Sequence, residues 1–587
     1  MQRKLLAGMG AALALSLAIT GCTAAHYKAS ADREVYSIVK QKTSFVPGMA
    51  RSFTIDPSPM AEQRVCPPAT APAAPASPTP AAPAAATPAA SPVTAPMVPA
   101  AGAQAPAAAD AAQPAGAVKP TVISLAKALE IAAYNSRTYQ SQKESVFLSA
   151  LTLTSQRFNF GPQFSGTGGG AYTDTGTGTS DSISGNTALG LTWLLKTGTQ
   201  ISTELSTDFS RTINGHPVEA SSSLFNFTVT QPVLQGAGVA VTAPLTQAER
   251  NVVYQMRTFV EYRRQFFVQV LSDYYGVLEN LQVLANQEEN YQSLKYARDQ
   301  AQALSEAGKL PTFQVDQAQQ NMLQAEDSVL RARQSYESSL DSFKFELGLP
   351  PEANLELDPA ELQRLTQEKA EALPFTLDQA VAMALDDRLD LMTANDQVED
   401  AQRNVAVAAN GLLPALNLDA GTSSTTSGTN QPLNFTSNTT NFNAGFTVDL
   451  GLTRLNQRNT YRSSLISLDQ STRNQCQVRD NVVQQVRNTW RQFQRTNSSY
   501  RIASASVDLA RRQVDSTEML LQAGRAIIRD VLDAQSALLS AQNNLAAAIV
   551  DYRVARLDLA VNMDILHVSE TGQLKESFDE YFRPQSQ

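Results

Sequence analysis

The side chains of this chain best placed for electrostatic work stand in "AGRAIIRDVLDAQSALLSAQNNL", residues 523–545. Asp530 and Asp533 are three apart, just beyond a break at Ala523 and Gly524. On a helix that spacing puts both carboxylates on one face. Carboxylates gathered at a helix tip hold cations and repel anions. Where several copies meet, they also raise one another's proton affinity. The bland alternative is two solvated acids favoured near a helix N-terminus by the helix dipole. Other chemistry finds no support. His26, His216 and His567 lie far apart, as do Cys22, Cys66 and Cys476, so neither metal-ligand spacing nor a disulfide framework is readable. "GTGGG" at 166–170 lacks the Lys and following helix of a phosphate loop and reads as a strand-tip loop. Tyr274 and Tyr275 read as helix packing, Trp193 and Trp490 as packing or interface residues, and Cys66 and Cys476 as free thiols. No catalytic residue, cofactor or metal site is expected, and the chain does not read as an enzyme.

The elements that must position Asp530 and Asp533 are long helices. Behind the acids, Val531, Ala534, Leu538, Ala541, Leu545, Ala548 and Tyr552 follow in steps of three and four, with Leu559 and Met563 after a break at Arg556. An earlier stretch repeats this stripe as Val315, Ala318, Met322, Ala325, Val329, Ala332, Tyr336, Leu340, Phe343 and Leu347. Such stripes pack helix on helix, and the small Ala residues allow close approach. The other faces carry Gln, Asn, Ser and Asp, as in a stave of a wall wetted on both sides.

The repetition is general. Ser124 aligns with Thr376 and Pro162 with Pro414 at an offset of 252, whereas Gly308 aligns with Gly524 and Tyr336 with Tyr552 at an offset of 216. The first half therefore carries 36 extra residues, read as an inserted hairpin at 187–210. Each half starts with a helix of about 35 residues, capped by Ser124 or Thr376 and ended by Pro162 or Pro414. Strands follow, then helical pairs at about 243–305 with 312–347 and about 453–521 with 527–564. A helix of sixty-odd residues is about 95 Å long. The strands alternate: Leu189, Leu191, Trp193 and Leu195 share a face, as do Phe225, Phe227 and Val229, and Phe442, Ala444, Phe446 and Val448. Alternation over about ten residues suits a membrane barrel, and equally a soluble sandwich. The Gly/Ser/Thr/Asn-rich runs at 165–188 and 421–441 read as loops.

The start of the chain concerns compartment. Arg3 and Lys4 precede a short apolar core, and the segment resembles a bacterial lipoprotein signal ending at Gly21, with Cys22 as the lipidated residue. Thr23 after that Cys implies sorting to the outer membrane. Residues 67–118 are nearly all Ala and Pro and read as an extended spacer between anchor and body. A net charge of −9 argues against nucleic-acid binding.

From the duplication, "VTQPVLQGAG" at 229–238 and the 523–545 stretch, the chain is similar to the TolC family of outer-membrane efflux and secretion channels over about 121–566. That resemblance implies a mixed helix-and-strand membrane protein. Four strands per chain would form a twelve-stranded trimeric β-barrel, continued by a long α-helical periplasmic barrel. The domains would be a signal peptide (1–21), a lipidated N-terminal segment (22–66), the linker (67–118), two efflux-protein repeats (119–355 and 356–566) and a tail (567–587). The function implied is the exit duct of a tripartite efflux or type I secretion system. The partners are a periplasmic adaptor, an inner-membrane pump and outer-membrane lipid. Asp530 and Asp533 would ring the periplasmic gate, and Gly308, Leu310, Gly524 and Ile527 would meet the adaptor. Gln314 stands where the first repeat would carry the matching acid, and Ala526 where some relatives carry a base. The competing readings are a lipid-anchored coiled-coil protein of the envelope and a soluble adaptor. The first has no need of duplicated strands, and the second needs a lipoyl-like module that is not found.

Overall fold

The computed structural model describes residues 24–50, 52–55, 121–174, 181–213, 219–367, 373–426, 431–569 and 572–576. The signal peptide, Cys22, Cys66, the Ala/Pro-rich stretch 67–118 and His216 lie outside the described residues.

The chain opens with α1 (Ala24–Lys42), β1 (Thr121–Ile123), α2 (Leu125–Asn135) and α3 (Arg137–Phe158). Four strands follow: β2 (Pro162–Thr173), β3 (Ser182–Leu194), β4 (Gln200–Thr212) and β5 (Glu219–Pro232). The first long hairpin is α4 (Val239–Glu306) with α5 (Thr312–Glu346), after which come β6 (Leu355–Leu357) and α6 (Ala360–Gln367). The second repeat runs α7 (Leu377–Asp387), α8 (Leu389–Asn410), β7 (Ala415–Thr426), β8 (Phe435–Asp449), α9 (Leu455–Gln522) and α10 (Ile528–Asn562). A small hairpin, β9 (Leu566–Val568) with β10 (Leu574–Glu576), ends the described chain. Its Leu566 and Val568 are buried in the main core, so the segment read as a tail begins as part of the body.

The two repeats share their short helices, two strands and a long helical hairpin. β2 and β7 correspond at the offset of Pro162 and Pro414, and β5 and β8 at the offset of Gly308 and Gly524. β3 and β4 have no counterpart, so they are the insertion expected at 187–210. One antiparallel sheet results, in the order β2-β3-β4-β5-β7-β8. It has six strands, not the four implied by the resemblance, because the inserted hairpin pairs with both neighbours along its whole length. The runs at 165–188 and 421–441, read as loops, are largely strand. Ladder hydrogen bonds are backbone property, and Gly, Ser, Thr and Asn suit the polar face of a sheet that has one.

The long helices match their expected bounds closely, but the first helix of each repeat is broken. Ser136 and Arg388 adopt extended backbone at equivalent positions and divide α2 from α3 and α7 from α8. No Gly or Pro marks either break. Arg388 is fixed at its break by Asp390, Gln485 (2.8 Å) and Asn562 (3.5 Å). Thr376 caps α7 in a reciprocal box with Gln379; Ser124 makes no such bond. The main core sits around the middle of the long hairpins, where the short helices of both repeats wrap them. Tyr139 packs against Phe259, Phe266 and Phe267 there, and Tyr274 is fully buried with its hydroxyl donating to Ile123 O (3.2 Å). α1 also belongs to this core. Val35, Ile38 and Val39 are buried, Tyr36 meets Phe147 edge-on, and Lys42 pairs with Glu249 (3.4 Å). The N-terminal segment is therefore docked on the body, not held away from it.

Candidate functional site

Two features carry the chemistry: the faces of the sheet and the turns of the long hairpins. Direct register pairs share a face, and side chains alternate along each strand. The row Phe164, Leu191, Thr203, Phe227, Thr422 and Phe442 crosses all six strands on one side. That side also carries Ile183, Leu189, Trp193, Leu205, Phe209, Phe225, Leu418, Phe446 and Val448. Several of these side chains stand open to solvent, Phe442 at 83% and Phe446 at 72%. The opposite side carries Gln163, Ser165, Thr192, Ser202, Ser206, Asn226, Thr228, Asn417, Asn441 and Asn443. Its charged groups among the described residues are Glu204, Asp208, Asp419 and Asp449, all acids. Asp419 accepts from Thr230 (2.8 Å) and Thr447 (3.1 Å). The sheet thus has one polar, acidic face and one apolar face whose large side chains are partly exposed. Trp193 lies on the apolar face near its helical end, with its Nε1–H bonded to Phe160 O (3.0 Å).

The turns are closed by backbone geometry. At α4–α5, Lys309 N bonds Leu304 O and Gly308 N bonds Ser305 O; at α9–α10, Arg525 N bonds Leu520 O and Gly524 N bonds Leu521 O. Both are helix ends completed by a left-handed residue. Gly308 has φ +70° and Gly524 φ +68°, and a Cβ at either would meet nothing. Beneath the turns the two hairpins share a small core of Leu294, Ala297, Ala301, Ala318, Leu521, Ile528 and Val531. Leu310 and Ala526 pack on it. Of the residues assigned to adaptor contact, Leu310 is thus half-engaged in the protein's own packing, whereas Ile527 is 43% exposed.

Asp530 and Asp533 lie together at the start of α10. Asp530 accepts from the Ile527 N–H (3.1 Å) and so caps the helix, while Asp533 is exposed. Gln314, the counterpart of Asp530 in the first repeat, has a buried Oε1 with no bonded partner among the described residues. Arg525 and Arg529 are exposed beside the acids. Among the described residues no cluster of His, Cys, Asp and Glu could hold a metal ion, and no helix is long and apolar enough to cross a membrane.

A network the sequence did not reveal joins α4 to α8. Asp400, 8% exposed, accepts from Tyr254 (2.7 Å), Gln247 (3.0 Å) and Arg403, and pairs with Arg250 (2.9 Å). Arg257 pairs with Asp396 (2.6 Å) alongside. Burial alone would raise the Asp400 carboxyl, but these donors and the Arg250 charge hold it below the ordinary carboxylate value. Arg403 and Asp400 are three apart, but Arg257 and Asp396 are 139 residues apart, so no local spacing announces the bridge between the helices.

Residues 380–562 match the family model for outer membrane efflux proteins. The match lies within the second repeat. The whole architecture is that of solved TolC-family channels. CusC matches with a TM-score of 0.57 at 14% identity, over 75% of this chain and 91% of its own. The Campylobacter jejuni CmeC outer membrane channel gives 0.56 at 13%, over 78% and 88%. The open state of the Neisseria gonorrhoeae MtrE outer membrane channel gives 0.56 at 14%, over 75% and 88%. A search of curated proteins finds no match.

Proposed function

We propose that this protein is the outer-membrane exit duct of a tripartite efflux or type I secretion system, working as a lipid-anchored homotrimer. The observation that carries the reading is the sheet with one uncovered apolar face and one acidic, polar face, joined to helices about 100 Å long. The apolar face meets lipid, the polar face lines water, and the helices cross the periplasm. The protein itself supplies no energy; an inner-membrane pump and a periplasmic adaptor open the hairpin tips, and substrate diffuses through. Asp530 and Asp533 of three copies gather at the narrow end and favour cations there. Gly308, Leu310, Gly524 and Ile527 form the surface the adaptor meets. Cys22 carries the lipid.

Planar-bilayer recording of the purified protein, beside Asp530→Ala with Asp533→Ala, tests this. A small cation-selective conductance that grows or loses selectivity in the double variant is expected. A pore indifferent to the change moves the gate elsewhere. No conductance from folded, assembled protein would overturn the channel reading in favour of a lipid-anchored envelope scaffold. Adaptor docking is tested separately: cross-linking to the adaptor should be lost when Gly308 and Gly524 are both made bulky, and unchanged cross-linking would remove the tips from the interface.

A further inference from the structure

The inserted hairpin changes the size of the membrane wall. β3 pairs with β2 over twelve register positions and with β4 over thirteen, and β4 continues into β5 over twelve. Both inserted strands keep the alternation of their neighbours. Leu189, Leu191, Leu205 and Phe209 stand on the apolar face, and Asn186, Thr192, Glu204, Ser206 and Asp208 on the polar one. A hairpin lying outside the wall, as a lid or loop, has no reason to be lipid-compatible on that one face alone.

β2 and β8 end the sheet, each with one edge unpaired among the described residues. Hydrocarbon does not tolerate open edges, so each must find another strand. Six antiparallel strands leave β8 running opposite to β2, so β8 of one copy can pair with β2 of an identical copy without breaking the alternation. Each edge therefore finds its complement on a second copy of this chain.

We infer, on the basis of the trimeric channel reading above, that the inserted β3–β4 hairpin is part of the transmembrane wall and that three copies close a barrel of eighteen strands. Barrel diameter grows roughly linearly with strand number, so this barrel is about 1.5 times as wide as a twelve-stranded one. Barrels of 16–18 strands enclose an open aqueous channel of porin type. The mouth of this duct is therefore wider than that of a twelve-stranded barrel, and the tightest selection by size falls to the hairpin tips. The hairpin also brings Glu204 and Asp208 of each copy to the lumen, so the mouth favours cationic and bulky solutes.

The test uses the full-length protein with Cys66→Ser and Cys476→Ser, purified, counted by native mass spectrometry and reconstituted in liposomes. Single cysteines replace Glu204 or Ser206 on the polar face and Leu189 or Leu205 on the apolar face, and a charged water-soluble maleimide is added. Three copies are expected, with labelling at 204 and 206 about tenfold or more faster than at 189 and 205, as alternation between lumen and lipid requires. Equal labelling on both faces, with the pore still conducting, would place the hairpin outside the wall and leave the channel reading intact. Two copies per assembly would also overturn the inference, because two sheets of six strands close a twelve-stranded barrel. Loss of conductance in the parent protein is the separate failure of the channel reading.

Discussion

Asp400 shows what a single residue contributes. Its carboxylate is held down by Tyr254, Gln247, Arg403 and Arg250, against a burial effect that pushes the other way. A depressed carboxyl stabilises the fold above its unfolded value, near 3.8, and that contribution is lost as pH falls through the lower folded value. Thermal melts of the wild type should therefore lose stability below about pH 4, and Asp400→Asn should flatten part of that slope. At neutral pH the same variant takes the acid from Arg403 and leaves Arg250 only Glu399 and Asp396, and it should cost about 2–3 kcal/mol. At the tip, Gly524→Ala removes no space but forces a Cβ into φ +68°. A cost of about 1–2 kcal/mol is expected, read as faster hydrogen exchange around residues 519–526, with Gly524→Asn milder.

At the scale of elements, the long hairpins depend on small residues in their seams. Ala541 is buried between Val507 and Ala510 of the facing helix. Ala541→Leu should overpack that seam and destabilise the hairpin by about 1–3 kcal/mol, whereas the same change at exposed Ser540 should be nearly neutral in chemical denaturation. These seams are legible in the sequence, because stripes sustained from Val315 to Leu347 and from Val531 to Tyr552 leave little choice of packing face. The breaks at Ser136 and Arg388 were not legible. They depend on tertiary partners such as Gln485 and Asn562, which lie far along the chain from Arg388. The Gly/Ser/Thr-rich strands were missed for a different reason. Residues that mark loops in water also serve the polar side of a membrane sheet, and the apolar partners Phe164, Tyr172 and Ile183 are too sparse there to show alternation at a glance. The three-residue spacing of Asp530 and Asp533 is visible in the sequence, but the bond from the Ile527 N–H to Asp530 depends on how the turn closes.

At the scale of the whole molecule, the docking of α1 alters how the N-terminus is understood. Val35, Ile38 and Val39 follow a steps-of-three-and-one pattern that a reading of "AAHYKASADREVYSIVKQK" as part of a lipidated arm passes over. Burying side chains of that size stabilises by about 1.5–3 kcal/mol each. Val35→Asp with Ile38→Asp should detach the segment. Limited proteolysis would then cleave within residues 24–50, and the melting temperature would fall by several degrees; an unchanged digestion pattern would show that the segment is held by something other than these contacts.

The same docking has a consequence for the long Ala/Pro-rich stretch. Residues 24–50 are seated on α3 and α4, and residue 121 begins a strand paired with β6. The stretch between them is therefore tied down at both ends. A single cut there would divide the polypeptide without dividing the particle. Two fragments would separate in denaturing gels, while the clipped protein would travel as one species under native conditions, its N-terminal piece still clamped in place by Val35, Ile38, Val39 and the Lys42–Glu249 pair.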